Sequence, residues 1–254
     1  MRSLPIRKFV AFTWGQRKSV SPIQLSLSGV RSGYGRVKVI DRISLTVQTG
    51  EIVAVIGRNG VGKTTLMKTV IGEIPAMAGS ITFRGVDVTR IDAMQRARLG
   101  IGYVPQGREV FTRMTVAENL KLGLRVGNAA ALDLARVYGF FPVLEKRLTQ
   151  LAGSMSGGEQ QQLAIGRILA GRPDIILLDE PSEGVQPNIV QDIGRIIRRL
   201  RDEEGLTVMI VEQNLSLIRA VADRCVVMDK GAIIDELSPA ALDEDDAAAR
   251  HLAI

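Results

Sequence analysis

The sequence predicts an α/β fold built around a phosphate-binding loop, and three observations carry the prediction. Ile52-Val53-Ala54-Val55-Ile56 is a β-branched apolar run that reads as a buried strand. It leads into Gly57-Arg58-Asn59-Gly60-Val61-Gly62-Lys63-Thr64, which fits the pattern G-x-x-x-x-G-K-[ST], and Lys63 to Ile71 then reads as a helix stopped by Gly72. Two more continuous runs, Ile175-Ile176-Leu177-Leu178 and Thr207-Val208-Met209-Ile210-Val211, are apolar on both faces, as in the middle of a parallel sheet.

The loop needs its residue types. Gly57, Gly60 and Gly62 let the backbone turn so that successive N–H groups point inward. The helix that follows adds a partial positive charge at the same point. Lys63 is placed to reach β- and γ-phosphates, and the Thr64 hydroxyl to ligate Mg²⁺. Thr65, in the first turn, closes this set of binding candidates.

Composition narrows the class. A chain of 254 residues with 46% hydrophobic residues can bury a sizeable core. Its net charge of +6 is uneven: residues 1–22 carry five basic residues and no acid, which leaves only +1 for the rest. A basic nucleic-acid-binding domain is therefore not implied, and the extension reads as a disordered tail, with contact to anionic lipid as the alternative. No run of about 18 apolar residues occurs, so the chain is not expected to span a membrane by itself. The single cysteine, Cys225, lies in an apolar run and reads as a packed strand residue.

In chain order, Ile23 to Leu27 and Ile43 to Val47 alternate with period two, as strands do, and Gly33-Tyr34-Gly35 forms a turn between them. Tyr34 is either a surface aromatic or a base-stacking platform. Residues 78–83 and 85–88 suggest a hairpin, and Asp92-Ala93-Met94-Gln95 opens a short helix. The strand Ile101 to Val104 is broken by Pro105. Gln106 follows, either an ordinary loop residue or one that touches Mg²⁺ or an attacking water. Thr115-Val116-Ala117-Glu118 is a capping box opening a helix through Leu122, and residues 115–150 read as a helical insertion.

Ser156-Gly157-Gly158-Glu159-Gln160 begins a helix that runs to Ala170 and is stopped by Gly171 and Pro173. It reads either as a plain serine N-cap or as a second anion site. Asp179 and Glu180 end the 175–178 strand, where ligands bind in open α/β sheets. Asp179 can hold Mg²⁺ through water, and Glu180 can polarise a water for in-line attack. The runs 225–228 and 232–234 read as final strands, and the acids 243–246 as a solvated helix start. His251, the sole histidine, lies too near the terminus to suggest catalysis.

Together these pieces resemble the nucleotide-binding subunit of ABC transporters across residues 23–238, with residues 239–254 as a tail. The resemblance rests on the phosphate loop, Gln106, Met155-Ser156-Gly157-Gly158-Glu159 placed with Ser156 23 residues before Asp179, and Asp179-Glu180. It implies a P-loop NTPase fold of the ABC type, with an antiparallel β-subdomain and a helical insertion at about 107–155. It also implies ATP and Mg²⁺, bound between two domains arranged head to tail. Lys63 and Thr64 of one domain would face Ser156 and Gly158 of the other, with Gly157 and Glu159 in the same motif. Tyr34 would stack on adenine, Thr64, Gln106 and Asp179 would serve the metal, and Glu180 would carry catalysis with Gln106 and Gln213. The implied partners are two membrane permease subunits, a second ATPase subunit and, indirectly, an extracytoplasmic solute-binding protein. The implied location is the cytoplasmic face of the bacterial inner membrane, with Gly107 to Phe111 part of the permease contact.

Two positions depart from the family pattern. Gln213 stands where a histidine is frequent and Gln186 where an aspartate is common, so γ-phosphate sensing falls to a side chain that carries no charge. Val211-Glu212-Gln213-Asn214 and Glu180-Pro181-Ser182-Glu183-Gly184 look like importer ATPases for branched-chain amino acids and their relatives. The wording of the phosphate loop, of Val104 to Glu109 and of Glu183 to Pro187 is most similar to the urea and short-amide branch.

Overall fold

The computed structural model describes residues 22–126 and 134–243. Residues 1–21 of the basic extension, the acids 244–246 and His251 lie outside them. Six strands form the main sheet: β3 (Ile52–Ile56), β6 (Ile101–Val104), β7 (Ile175–Asp179), β8 (Thr207–Val211), β9 (Arg224–Asp229) and β10 (Ala232–Leu237). Their order is β10-β9-β3-β8-β7-β6, parallel from β9 to β6, with β10 antiparallel at the edge.

The apolar runs are continuous because both faces of this sheet are covered. Along β3, Ile52, Ala54 and Ile56 enter a core shared with the helices, while Val53 and Val55 enter a second core. The same division runs along β7, where Ile176 and Leu178 face the first core and Ile175 and Leu177 the second. The first core is packed by α3 (Val116–Val126), α4 (Leu134–Phe140), α5 (Pro142–Lys146), α6 (Gly157–Ala170), α7 (Pro187–Glu204) and α8 (Leu215–Val221). The second lies under α1 (Lys63–Ile71) and a four-stranded antiparallel sheet made, in order, of β2 (Val37–Gln48), β1 (Ile23–Tyr34), β4 (Ala76–Phe83) and β5 (Val86–Asp87). Cys225 is fully buried in β9, and burial pushes its thiol up to about 11.

The antiparallel sheet corrects one expectation. β1 (Ile23–Tyr34) and β2 (Val37–Gln48) are twelve-residue strands that extend beyond the alternating runs at 23–27 and 43–47, and Gly33 and Tyr34 belong to β1 instead of to a turn between the strands. Register shifts after Leu27 and Val30 break the period-two alternation, so the sequence pattern stops at Leu27 while the strand continues. Tyr34 consequently ends β1 opposite Val37. β4 (Ala76–Phe83) and β5 (Val86–Asp87) are the expected hairpin, and α2 (Ala93–Arg98) starts with Asp92 accepting from the Gln95 amide.

Helix ends follow their capping residues. Gly72 closes α1 in a left-handed conformation at φ 82°. The Thr115–Glu118 box opens α3, which runs past Leu122 to Val126. Among the described residues no helix is long and apolar enough to cross a membrane.

Candidate functional site

The parallel strands bring their following loops to one edge. The phosphate loop follows β3, Gln106 follows β6, Glu180 follows β7, and Glu212 and Gln213 follow β8. A cavity of about 470 Å³ opens there, lined by Val39, Asn59, Gly60, Gly62, Lys63, Thr64, Thr65, Gln106, Glu180, Glu183 and Gln213.

The loop's shape depends on glycine at two points. Gly57 has φ 150°, and a Cβ on it would lie 2.3 Å from the Met228 carbonyl oxygen of β9. Gly62, the N-cap of α1, has φ 105°. Val61 is buried, and its carbonyl accepts from the Gly231 amide, which ties the loop to the β9–β10 turn. Lys63 is 5% exposed, and its Nζ donates to the carbonyls of Gly57 at 2.8 Å and Arg58 at 3.0 Å. An ammonium has three hydrogens, so two brace the loop and one is left for a ligand. Burial lowers the Lys63 pKa, and the carboxylates of Glu180, Asp179 and Glu212 oppose that shift.

Asp179 is 1% exposed at the end of β7. Its Oδ1 accepts from the Thr64 hydroxyl at 3.3 Å and its Oδ2 from the Tyr103 hydroxyl at 3.1 Å. Burial raises its pKa, and these two hydrogen bonds pull the other way. Thr64 and Asp179 therefore present neighbouring oxygens, the donor chemistry that suits Mg²⁺. Among the described residues no group of three or more His, Cys, Asp or Glu could hold a metal, so most of its ligands would have to be phosphate oxygens and water.

Glu180 has a left-handed backbone at φ 47°, and its amide donates to the Val211 carbonyl at 2.8 Å. Side chains on both sides hold its carboxylate. The Gln213 amide donates to Oε1 at 2.8 Å, and Gln106 donates to Oε2 at 3.4 Å. Gln213 also donates to Asn59 Oδ1 at 2.8 Å, so both hydrogens of its amide are used. Gln213 thus links the carboxylate to the phosphate loop, instead of standing free as a γ-phosphate sensor. Gln106 touches Glu180, and no hydrogen bond joins it to Thr64 or Asp179.

Three further residues shape the site: Tyr103 and Glu212, to which the sequence assigned no role, and Arg108, which lies in the segment expected to contact the permeases. Tyr103 supplies a hydroxyl to Asp179, and burial is the main cause that raises its pKa. Glu212, 2% exposed, accepts from the amides of Ser182, Gln213 and Asn214 and so fixes the loops after β7 and β8 to each other. Arg108 reaches the carbonyls of Glu183 and Gly184. The local pattern around Tyr103 and Glu212 is that of a strand and its end, and their partners lie 76 and 30 residues away.

The remaining candidates lie apart from this cavity. Tyr34 is 54% exposed and does not line it. Ser156, Gly157, Gly158 and Glu159 do not line it either. They form the start of α6, where Ser156 Oγ accepts from the Glu159 amide and Glu159 Oε2 accepts from the Ser156 amide. Glu159 also pairs with Arg147 at 2.7 Å, so its carboxylate is spent on the helix start. One chain therefore carries a phosphate-loop half-site and, separately, a serine–glycine helix start.

A phosphate loop, a strand-end carboxylate pair and a serine–glycine helix start on this sheet define a P-loop ATPase of the cassette type. A family model described as ABC transporter matches residues 40–183, and the chain belongs to that family. The high-affinity branched-chain amino acid transport ATP-binding protein BraG of Pseudomonas aeruginosa is 43% identical over 220 residues, covering 86% of this chain and 94% of that one. The lipopolysaccharide export system ATP-binding protein LptB of Escherichia coli is 37% identical over 226 residues, covering 87% and 93%. Among solved structures, the ADP conformation of MJ1267, an ATP-binding cassette of an ABC transporter, is similar with a TM-score of 0.80 at 27% identity, covering 91% and 98%. A nucleotide-free ATP-binding cassette from an ABC transporter gives 0.76 at 28%, covering 84% and 90%. The chain is thus an ABC transporter ATPase that binds adenine nucleotide, and cassettes of this kind dimerise and act with membrane permeases.

Proposed function

We propose that this chain is the energy-coupling ATPase of an importer for urea or short-chain amides, working with two permease subunits and a second ATPase subunit at the cytoplasmic face of the inner membrane. The observation that carries the ATPase part is the Glu180 carboxylate, held by Gln213 and Gln106 in the same cavity as Lys63 and Thr64. The urea reading rests on motif wording alone. The BraG likeness favours branched-chain amino acids, which is the second reading.

In the mechanism we infer, the phosphate loop and the spare hydrogen of Lys63 bind the β- and γ-phosphates. Glu180 accepts a proton from the water that attacks the γ-phosphate in line. Gln213 and Gln106 orient that carboxylate. Thr64 and Asp179, with Gln106 nearby, would hold Mg²⁺, which neutralises developing phosphate charge when bound. The serine–glycine helix start of the second subunit completes the γ-phosphate site, as Ser156, Gly157 and Gly158 of this chain do for the second subunit's nucleotide, and Tyr34 stacks on the adenine. ATP then favours the closed pair because it contacts two subunits there and one in the open state. Gly107 to Phe111 carry the change to the permeases. An apolar cavity of about 480 Å³ beside them, lined by Phe111, Tyr103, Leu122 and Ile168 among others, supports that route.

The test is reconstitution with cognate permeases, binding protein and ATPase partner. Uptake of labelled urea or acetamide driven by ATP is expected. Uptake of labelled leucine without urea would move the assignment to the second reading, and neither uptake nor ATP hydrolysis would sink both.

A further inference from the structure

We propose that Arg96 is a positioning residue that ties the far end of α1 to α2, so that a permease segment seated in the apolar cavity beside Phe111 acts on the phosphate-loop helix as well as on Gly107 to Phe111. The proposal rests on the reading of that cavity as the permease contact. Arg96 is 1% exposed. Its Nη1 donates to the carbonyls of Thr69 at 2.9 Å and Val70 at 2.7 Å, in the last turn of α1. Its Nε donates to the Ile91 carbonyl at 2.8 Å and its Nη2 to the Thr89 carbonyl at 3.0 Å, in the segment that leads into α2. One guanidinium therefore holds two separate stretches of backbone together.

The last carbonyls of a helix have no partner within it. In α1 the amides of Gly72, Glu73 and Ile74 serve Lys68 and Thr69, and Arg96 serves Thr69 again and Val70. The helix dipole favours a cation at this end. Each hydrogen bond of Arg96 goes to a carbonyl and none to a carboxylate. An apolar side chain would fill the same space without desolvating a charge. The planar fork adds directed bonds to both stretches at once. Gly72 leaves room for it: a Cβ there would stand 2.8 Å from Arg96 Nε and 2.9 Å from the Ile91 carbonyl oxygen. The joint between α1 and α2 is thus tightly packed as well as bonded.

Both sides of this joint reach the cavity. Ile71, the last residue of α1, lines it, and so do Ala93 and Ala97 of α2, together with Phe111. An occupant of the cavity would therefore press on the two elements that Arg96 joins. The other end of α1 carries Lys63 and Thr64, which line the phosphate cavity. With nine residues, α1 is about 13.5 Å long. It is braced at its start by Lys63 on the Gly57 and Arg58 carbonyls and at its end by Arg96. A short helix held at both ends is the kind of rigid element that can carry coupling between two sites.

The test compares wild type, Arg96→Met and Arg96→Lys in the assembled transporter, and reads how far the solute-loaded binding protein raises kcat for ATP. ADP affinity is measured on the isolated chain. Arg96→Met removes every donor, and Arg96→Lys offers one nitrogen where arginine uses three. Stimulation is expected to fall about tenfold in the Met variant and about threefold in the Lys variant, within the usual range for coupled sites. KM for ATP and ADP affinity are expected to stay within about twofold. Wild-type stimulation in either folded variant would overturn the proposal. So would a loss of ADP affinity that tracks the loss of turnover, because Arg96 would then only maintain the fold, and so would loss of the permeases from the purified variant. Hydrogen exchange on the wild type supplies an arm that needs no variant. Exchange in the last turn of α1 is expected to slow about tenfold when the chain joins its permeases, and unchanged exchange there would overturn the proposal. A wild-type chain that joins no permease would instead sink the functional reading beneath it.

Discussion

The phosphate-loop half of the site and the start of α6 are both helix N-termini, yet they are built in opposite ways. At α1 the N-cap is Gly62, which offers no side-chain cap, and the nearby cation Lys63 is buried and turned onto the loop's own carbonyls. At α6 the N-cap is Ser156, and a full capping box with Glu159 satisfies the first turn from within. The first end leaves its amides for a ligand, and the second is already capped without one. The difference teaches that sequence motifs at helix starts carry two functions that a structure can separate. At α1 the residues make sense only with a phosphate in mind. At α6 they also make sense as local packing, and variants must show whether a ligand role is added.

The largest effect is expected from Glu180→Gln, which keeps the shape and the hydrogen bond from Gln213 but removes the base. ATP binding should persist while turnover falls by about 10²- to 10⁴-fold, measured with the cognate partners. Turnover near wild type would mean that the carboxylate between Gln213 and Gln106 is not the base. Next in size is Lys63→Ala. It removes a buried charged donor from the loop, and direct titration is expected to show ATP affinity lowered about 10- to 100-fold, the worth of one charged hydrogen bond. Unchanged affinity would erase the contrast between the two helix ends, because the α1 end would then bind phosphate no better than a plain one.

These two residues were legible in the sequence because their signals are local. The strand, the glycine spacing and Lys63-Thr64 fall within thirteen residues of one another. The buried strands were legible for a similar reason, since a run apolar on both faces needs no partner to be recognised. What connects the loops was not legible. Glu212 reads as the polar end of a strand, and only the fold brings its carboxylate to the Ser182 amide. Tyr103 reads as a strand residue until β6 is placed beside β7. Gln213 was singled out, but its bond to Asn59 spans 154 residues, so its linking role could not be read from its neighbours. The far halves of β1 and β2 were missed because bulges erase the alternation on which strand reading depends.

Gly158 sharpens the comparison at a smaller scale. A Cβ there would stand 2.8 Å from Cγ2 and 3.0 Å from Cγ1 of Ile189 on α7. Glycine at this position is therefore required by packing between α6 and α7, apart from any phosphate. Gly158→Ala is expected to cost about 1–3 kcal/mol by denaturant unfolding, the usual range for an overpacked contact. Pairing it with Ile189→Ala should return most of that stability. If turnover also returns, the glycine serves packing alone; if it stays low, the missing Cβ serves the ligand as well.

Ser156→Ala is expected to disturb the fold least and to discriminate best. The Ser156 hydroxyl accepts from the Glu159 amide at 3.4 Å, a long bond, whereas the reciprocal bond from the Ser156 amide to Glu159 is 3.0 Å and survives the substitution. Glu159 remains anchored by Arg147. The loss in unfolding free energy should sit at the low end for an N-cap, about 0.5 kcal/mol. Nucleotide affinity of the isolated chain should not change, because Ser156 does not line its phosphate cavity. A fall of about tenfold or more in turnover of the assembled transporter would then exceed what capping explains, and would assign the hydroxyl to the partner's nucleotide. Turnover within about twofold of wild type would leave the α6 start as a capped helix end, and the serine would drop out of the shared site.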